Sequence, residues 1–276
     1  MKKRIFVGLL AALAFTVHGF AIGFNKTTSY TDGTFSDVPD SEWYASEVKS
    51  AYELGFMNGI GDSLFSPNGN VTVAEAVTMA TRVHASYNGA EIPKDVPGEW
   101  YAPYVQYAVD NQMISETRFD EYDRPITRAE MAEVFYTSVP QDYLKPVNAV
   151  DYLPDINEKA DYREKVLTLY KAGVVMGNDA YGSFYPNNPI IRCEAAAIIN
   201  RIALPENRLQ KTLQKRADPT PAVYFIDDSG TLSATTYGAY GWEFDSRGVP
   251  AGQAASRIQV IDTSKTERTA MLRQIA

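Results

Sequence analysis

The sequence predicts a mainly α-helical chain: three diverged copies of one helix–loop–helix unit, then a small β-rich end. Three observations predict it. Internal similarity recurs with a period of about 60 residues. Apolar residues inside each copy follow helical spacing. After Ala222 the pattern changes to short runs of strand-forming residues.

The copies are placed at 30–90, 91–150 and 151–204. Each opens on an acidic residue before an apolar one, Asp37-Val38, Asp95-Val96 and Asp155-Ile156. Trp43-Tyr44 and Trp100-Tyr101 follow, with Asp161-Tyr162 in the third. Glu75, Glu130 and Glu194 stand at the start of each closing segment. In the first copy Trp43, Val48, Ala51 and Leu54 are spaced for one helical face. Gly55 is placed to end that helix in a left-handed turn, as is Gly173 in the third copy, whereas Gln112 takes the place in the second. Pro67-Asn68-Gly69 and Pro186-Asn187-Asn188 mark the loops, and the second helices start at Thr72, Thr127 and Ile191. One such helix pair buries little alone, so the three are expected to share a core.

Thr127-Arg128-Ala129-Glu130 fits a capping box, in which threonine and glutamate each satisfy the other's backbone N–H. Thr72 with Glu75 repeats it, and Ile126 facing Met131 makes a hydrophobic staple. The box does not account for the arginine, because a cation at a helix start opposes the helix dipole. Arg128, and Arg192 in the third copy, would be useful there beside an anion, where a guanidinium and free helix N–H groups act together. The other reading is a salt bridge to an acidic neighbour in the adjoining copy. Trp43 and Trp100 also carry two readings, core packing or a partly exposed platform for a sugar ring.

The ordered series S-D-V-P, W-Y, A, L-G, G, F-S-P-N, V-T-V-A-E, with I-T-R-A-E in the second copy, resembles the S-layer homology family from about Phe35 to Ala203. The resemblance implies a pseudo-threefold bundle of helix pairs with grooves between neighbouring repeats. It also implies non-covalent binding to a secondary polymer on peptidoglycan, often one bearing pyruvate ketals. The family's pocket residues map onto Arg128, Arg192, Trp43, Trp100, Asp37, Asp95, Asp155, Gly59 and Gly177. Val73 removes the arginine from the first copy, Asp161 the tryptophan from the third, Glu116 the glycine from the second, and Ile191 the capping threonine from the third. One or two working grooves are therefore expected.

A charged start, thirteen apolar residues from Ile5 to Val17 and the small residues Gly19 and Ala21 read as a secretory signal over 1–21. That run is short of the ~20 residues of a membrane span, so no transmembrane anchor is expected. Lys2, Lys3 and Arg4 leave with the signal, taking the formal charge from −8 to −11 and disfavouring nucleic acid as a partner. Cys193 reads as inert core packing, and His84 as part of a solvated face. The acidic stretch from Asp120 to Asp123 lacks the spacing of a calcium loop. No nucleophile elbow, phosphate loop or metal-binding set is present, so no catalytic residue, cofactor or metal is expected. A wall-associated glycoside hydrolase built on converging carboxylates is the enzymatic alternative. A surface-array subunit, self-associating through its C-terminal strands, is the structural one. Residues 205–221 read as a short helix into a stiff linker. Within 222–276, Val223–Ile226 and Thr231–Thr236 flank a turn, Arg257–Ile261 reads as a further strand, and Ser264 starts a capped final helix to Gln274.

Overall fold

The computed structural model describes residues 23–177 and 179–214, with the backbone of 222–226, 232–236 and 258–259. The expected leader, the C-terminal helix and most of the β-rich end lie outside the described residues. Within 23–177 and 179–214 each copy is a short helix, an irregular loop and a second helix. The first helices are α1 (Ala45–Glu53), α3 (Ala102–Asp110) and α5 (Arg163–Lys171); the second are α2 (Val73–Asn88), α4 (Arg128–Tyr136) and α6 (Arg192–Ala203).

The first helices are amphipathic, and α1 buries Val48 and Ala51 as its spacing predicts. Trp43 is a correction: it precedes the helix and leaves the face formed by Val48, Ala51 and Leu54. Gly55 and Gly173 take left-handed φ values of 75° and 71° at the helix ends, and Gln112 does the same at 58°. A side chain in that conformation costs about 1–2 kcal/mol, so tertiary packing holds the turn in the second copy. The second helices are buried on most sides and rich in alanine. Small residues such as Ala76, Ala80, Ala132, Ala195 and Ala196 are almost without exposure, which lets neighbouring backbones come close.

The helices pack cyclically: α1 on α6, α3 on α2 and α5 on α4. Each copy thus lays its first helix on the second helix of the copy before it, and the third copy closes back onto the first. The residues just ahead of the second helices complete the ring. Val71 donates its N–H to the Ile190 carbonyl (2.9 Å), Ile190 to Ile126 (3.3 Å), and Ile126 back to Val71 (2.9 Å). All three side chains are buried there. This is the three-fold-like bundle that the resemblance implies.

Two segments strap the bundle. Near the N-terminus, Thr27 and Thr28 donate to the Glu53 carbonyl, and the Phe24 ring meets Phe56, Tyr87 and Tyr143. After α6, a single 3-10 turn (Pro205–Asn207) replaces the short helix expected in the linker. The chain then docks on the third copy, with Leu209 N–H on the Gly173 carbonyl and Gln214 N–H on Ala180. The backbone of β1 (Ala222–Ile226) pairs antiparallel with β2 (Leu232–Thr236) and β3 (Ile258–Gln259), in the order β2-β1-β3.

Candidate functional site

The capping boxes form as the sequence predicts. Thr72 Oγ1 accepts from Glu75 N–H (3.2 Å) while a Glu75 oxygen accepts from Thr72 N–H (3.0 Å), and Thr127 with Glu130 repeats both bonds. Ile191 supplies no such cap to α6.

The helix N-termini are not free, which corrects the anion-cradle expectation. Arg128 and Ala129 donate their N–H groups to the carbonyls of Asn188 and Pro186 in the third copy. Arg192 and Cys193 donate to Gly69 and Pro67 in the first, and Val73 and Ala74 to Arg124 and Tyr122 in the second. The closing loop of a neighbouring copy caps each helix. Helix dipole and backbone donors are therefore spent inside the ring.

The two arginines are buried, at 8% and 6% exposure. Arg192 donates from Nε to the Phe65 carbonyl (2.8 Å), from Nη1 to Glu75 Oε1 (2.9 Å) and from Nη2 to the Asn58 carbonyl (2.7 Å). Arg128 makes the same set one copy along, to Phe184 (2.8 Å), Glu194 Oε2 (3.3 Å) and Met176 (3.3 Å). Each guanidinium also lies over a ring, Phe65 or Phe184. Burial disfavours both charges, and the carboxylates of Glu75 and Asp37, or Glu194 and Asp155, oppose that penalty. Of the two sequence readings, the salt bridge to the adjoining copy is the one the geometry displays.

Asp37 and Asp155 serve the same loops. The Asp37 carboxylate accepts from Phe65 N–H (2.8 Å) and Ser66 N–H (2.7 Å), and Asp155 from Phe184 (2.9 Å) and Tyr185 (2.6 Å). Asp95 lies exposed at the surface. Gly59 and Gly177 are explained by close packing. A Cβ at Gly59 would lie 2.7 Å from the Leu64 carbonyl, and one at Gly177 2.4 Å from Gly182.

The tryptophans resolve toward exposure. Trp43 is 60% and Trp100 56% exposed, each edge-on to the following tyrosine. Trp100 joins Gly59 and Arg192 on the wall of one cavity of about 500 Å³, together with Asn58, Ile60, Glu75, Thr78, Met79 and Arg82. A residue from each copy meets here: the loop and α2 of the first, the tryptophan of the second, the arginine of the third. Three residues that sequence reasoning missed, Thr78, Met79 and Arg82, belong to it. The helical period carried the signal, because they lie three, four and seven residues beyond Glu75 on one face of α2.

The second copy is built differently. With Val73 wholly buried in place of an arginine, Glu130 is met from its own loop, by Arg124 Nη1 (2.9 Å) and Nη2 (2.6 Å). Glu133 stands one turn on, at the position of Thr78, and is bonded by Arg118 and by Lys165 of α5 (2.7 Å). Burial raises the carboxyl values of Glu130 and Glu133, yet these bonds outweigh it and hold both below the usual range. Elsewhere Cys193 is buried, and burial pushes its thiol up to about 11, which suits inert packing. His84 departs from the solvated reading: it is half-buried, its Nδ1 lies 3.0 Å from Tyr107 Oη, and burial lowers its value. Among the described residues no cluster suits a metal ion, and no helix is long and apolar enough to cross a membrane.

The chain is similar to two proteins named for the cell surface or its layer and to one named as an enzyme. A cell surface protein of Thermoanaerobacter kivui is 36% identical over 109 residues, covering 37% of this chain and 13% of that protein. The S-layer protein sap of Bacillus anthracis is 25% identical over 201 residues, covering 71% and 24%. An amylopullulanase of Thermoanaerobacterium thermosulfurigenes is 28% identical over 176 residues, covering 61% and 9%. The chain thus spans no more than about a quarter of the length of these relatives. The S-layer homology domain matches residues 34–77 and 153–196, leaving the divergent middle copy unmatched. With Asp37 and Glu75 in the first segment and Asp155, Arg192 and Glu194 in the second, the chain carries two S-layer homology segments.

Proposed function

We propose that this protein is held on the bacterial cell wall by an anionic, pyruvate-bearing secondary wall polysaccharide, bound without covalent attachment in a groove between repeats. The two S-layer homology segments and the relatives named as surface proteins support a location at the cell surface, in an anchoring or surface-layer role. The observation that carries the finer reading is the cavity where Trp100, Gly59 and Arg192 converge from three copies. A half-exposed indole beside polar donors suits a sugar ring, whose apolar face stacks while its substituents hydrogen-bond. Arg192 acts there chiefly by holding the walls together. No catalytic role is assigned, and hydrolysis named for a relative stays with that relative.

Co-sedimentation with wall sacculi tests this. The protein should pellet with sacculi that retain their attached polysaccharide and stay in solution once acid extraction has stripped it. Equal binding to stripped sacculi would move the assignment to peptidoglycan itself. Spontaneous assembly of purified protein into sheets, with no affinity for sacculi, would favour the surface-array role suggested by the relatives named as S-layer proteins.

A further inference from the structure

The groove that holds Trp100 contains a cation whose charge is not spent. Arg192 faces the carboxylate of Glu75, so that pair contributes no net charge. Arg82, seven residues beyond Glu75 on α2, is different. Its Nη1 donates to the Phe56 carbonyl (3.3 Å) and its Nη2 to Tyr104 Oη (3.1 Å), both neutral acceptors and the first at long range, and it lies over the Tyr104 ring. Among the described residues it is in no ion pair. A guanidinium has five N–H donors, so most of this one's capacity is uncommitted.

A second observation points into the same groove. Thr78, one turn before Arg82, lines the cavity at 4% exposure, and its hydroxyl has no hydrogen-bond partner among the described residues. A buried hydroxyl without a partner is costly and uncommon unless a site uses it.

The related positions show what is special here. In the third copy Ala197 replaces Thr78, and Arg201, clamping the Val174 carbonyl in the same way, feels the Glu47 carboxylate. In the second, Glu133 replaces Thr78 and is bonded by Arg118 and Lys165, while Thr137 clamps the Met113 carbonyl with a hydroxyl. Loop clamping therefore does not need a charge. Arg82 keeps a charge whose hydrogen-bond partners are neutral.

We infer that Arg82, with Thr78, is the carboxylate-binding element of the groove floored by α2, and that this groove is the selective one for acidic saccharides, with Trp100 stacking the sugar and Arg82 meeting its carboxylate. The inference rests on the wall-polysaccharide reading above. Displacing weak bonds to Phe56 and Tyr104 for a charge-assisted one is favourable where the ligand excludes water.

The test is binding of the whole protein to solubilised acidic wall polysaccharide, native or with its carboxylates amidated by a carbodiimide and an amine, the carbodiimide leaving as its urea and phosphodiesters remaining intact. Arg82→Gln should weaken binding to the native polymer by about tenfold to a hundredfold, the range for one charge-assisted bond. Arg82→Lys should lose much less, and Arg201→Gln should bind nearly as wild type. Wild type should lose affinity for the amidated polymer to the level of Arg82→Gln. Thr78→Val should weaken binding about fivefold without lowering the unfolding midpoint, since it removes an unsatisfied hydroxyl. Circular dichroism checks each fold. If wild type binds and folded Arg82→Gln binds equally well, the assignment of Arg82 is wrong while the wall-binding reading survives. Unchanged affinity for amidated polymer makes phosphate or a neutral sugar the ligand and overturns the carboxylate claim. Absence of wild-type binding overturns both.

Discussion

The helix-start glutamates of the first and third copies are each met by an arginine from the preceding copy in the ring, while that of the second is met from its own loop. Arg192 crosses from α6 to the first copy's loop and Glu75; Arg128 crosses from α4 to the third copy's loop and Glu194. Glu130 receives Arg124 from six residues away in its own loop. The difference shows that the capping-box glutamate needs a guanidinium more than it needs a particular donor. It also shows what a repeat tolerates when divergence removes one: the cation moves, and Glu133, paired with Arg118 and Lys165, takes the position of Thr78.

The largest expected effect follows from that contrast. Arg192→Ala or Arg128→Ala leaves a carboxylate and two loop carbonyls unmet at a buried junction, a loss of roughly 3 kcal/mol. Arg124→Ala removes a more exposed pair and should cost about 1 kcal/mol or less. Urea midpoints measure both. Equal losses would break the distinction between bracing across copies and bracing within one.

Acid sharpens the comparison in another way. Glu130 and Glu133 of the second copy hold their carboxyls below the usual value near 4.5. Groups depressed in the fold stabilise it fully above the unfolded value and lose that contribution as pH falls through the folded one. The protein should therefore weaken progressively below about pH 4.5, and Glu133→Gln should flatten the decline. Unfolding midpoints measured from pH 6 downward decide it; a profile unaltered in Glu133→Gln would assign the acid sensitivity elsewhere.

Caps give the smallest effects. Thr127→Ala and Thr72→Ala should each lower stability by about 1 kcal/mol. Ile191→Thr, which offers the third copy the cap it lacks, should recover part of that amount against the buried surface it gives up. A loss at Ile191→Thr as large as at Thr127→Ala would mean that packing of the isoleucine outweighs capping.

Much of the fold was legible in the sequence. Local rules decide helix starts at Thr72 and Thr127 and the turns at Gly55 and Gly173, and those rules act over a few residues. The site was legible only in part. Arg128 and Arg192 stood out correctly as residues a capping box does not need, but their burial depends on residues such as Asn58 and Phe65, more than 100 positions from Arg192. The occupied helix N-termini depend on loops from other copies in the same way. Trp43 followed the apolar spacing of α1 and yet lies outside, since the helix begins two residues after it. Arg82 carried no motif, and only its position on α2 beside Trp100 gives it meaning.

The most direct measurement of the central claim is where the saccharide sits. In nitrogen-15 NMR of the whole protein, the indole Nε1–H of Trp100 should shift saturably as solubilised acidic wall polysaccharide is added, together with the Arg82 Nε–H, while Trp43 moves little. Saturable binding that leaves Trp100 and Arg82 unmoved and shifts Trp43 would place the ligand beside the first helix of the first copy and contradict the account.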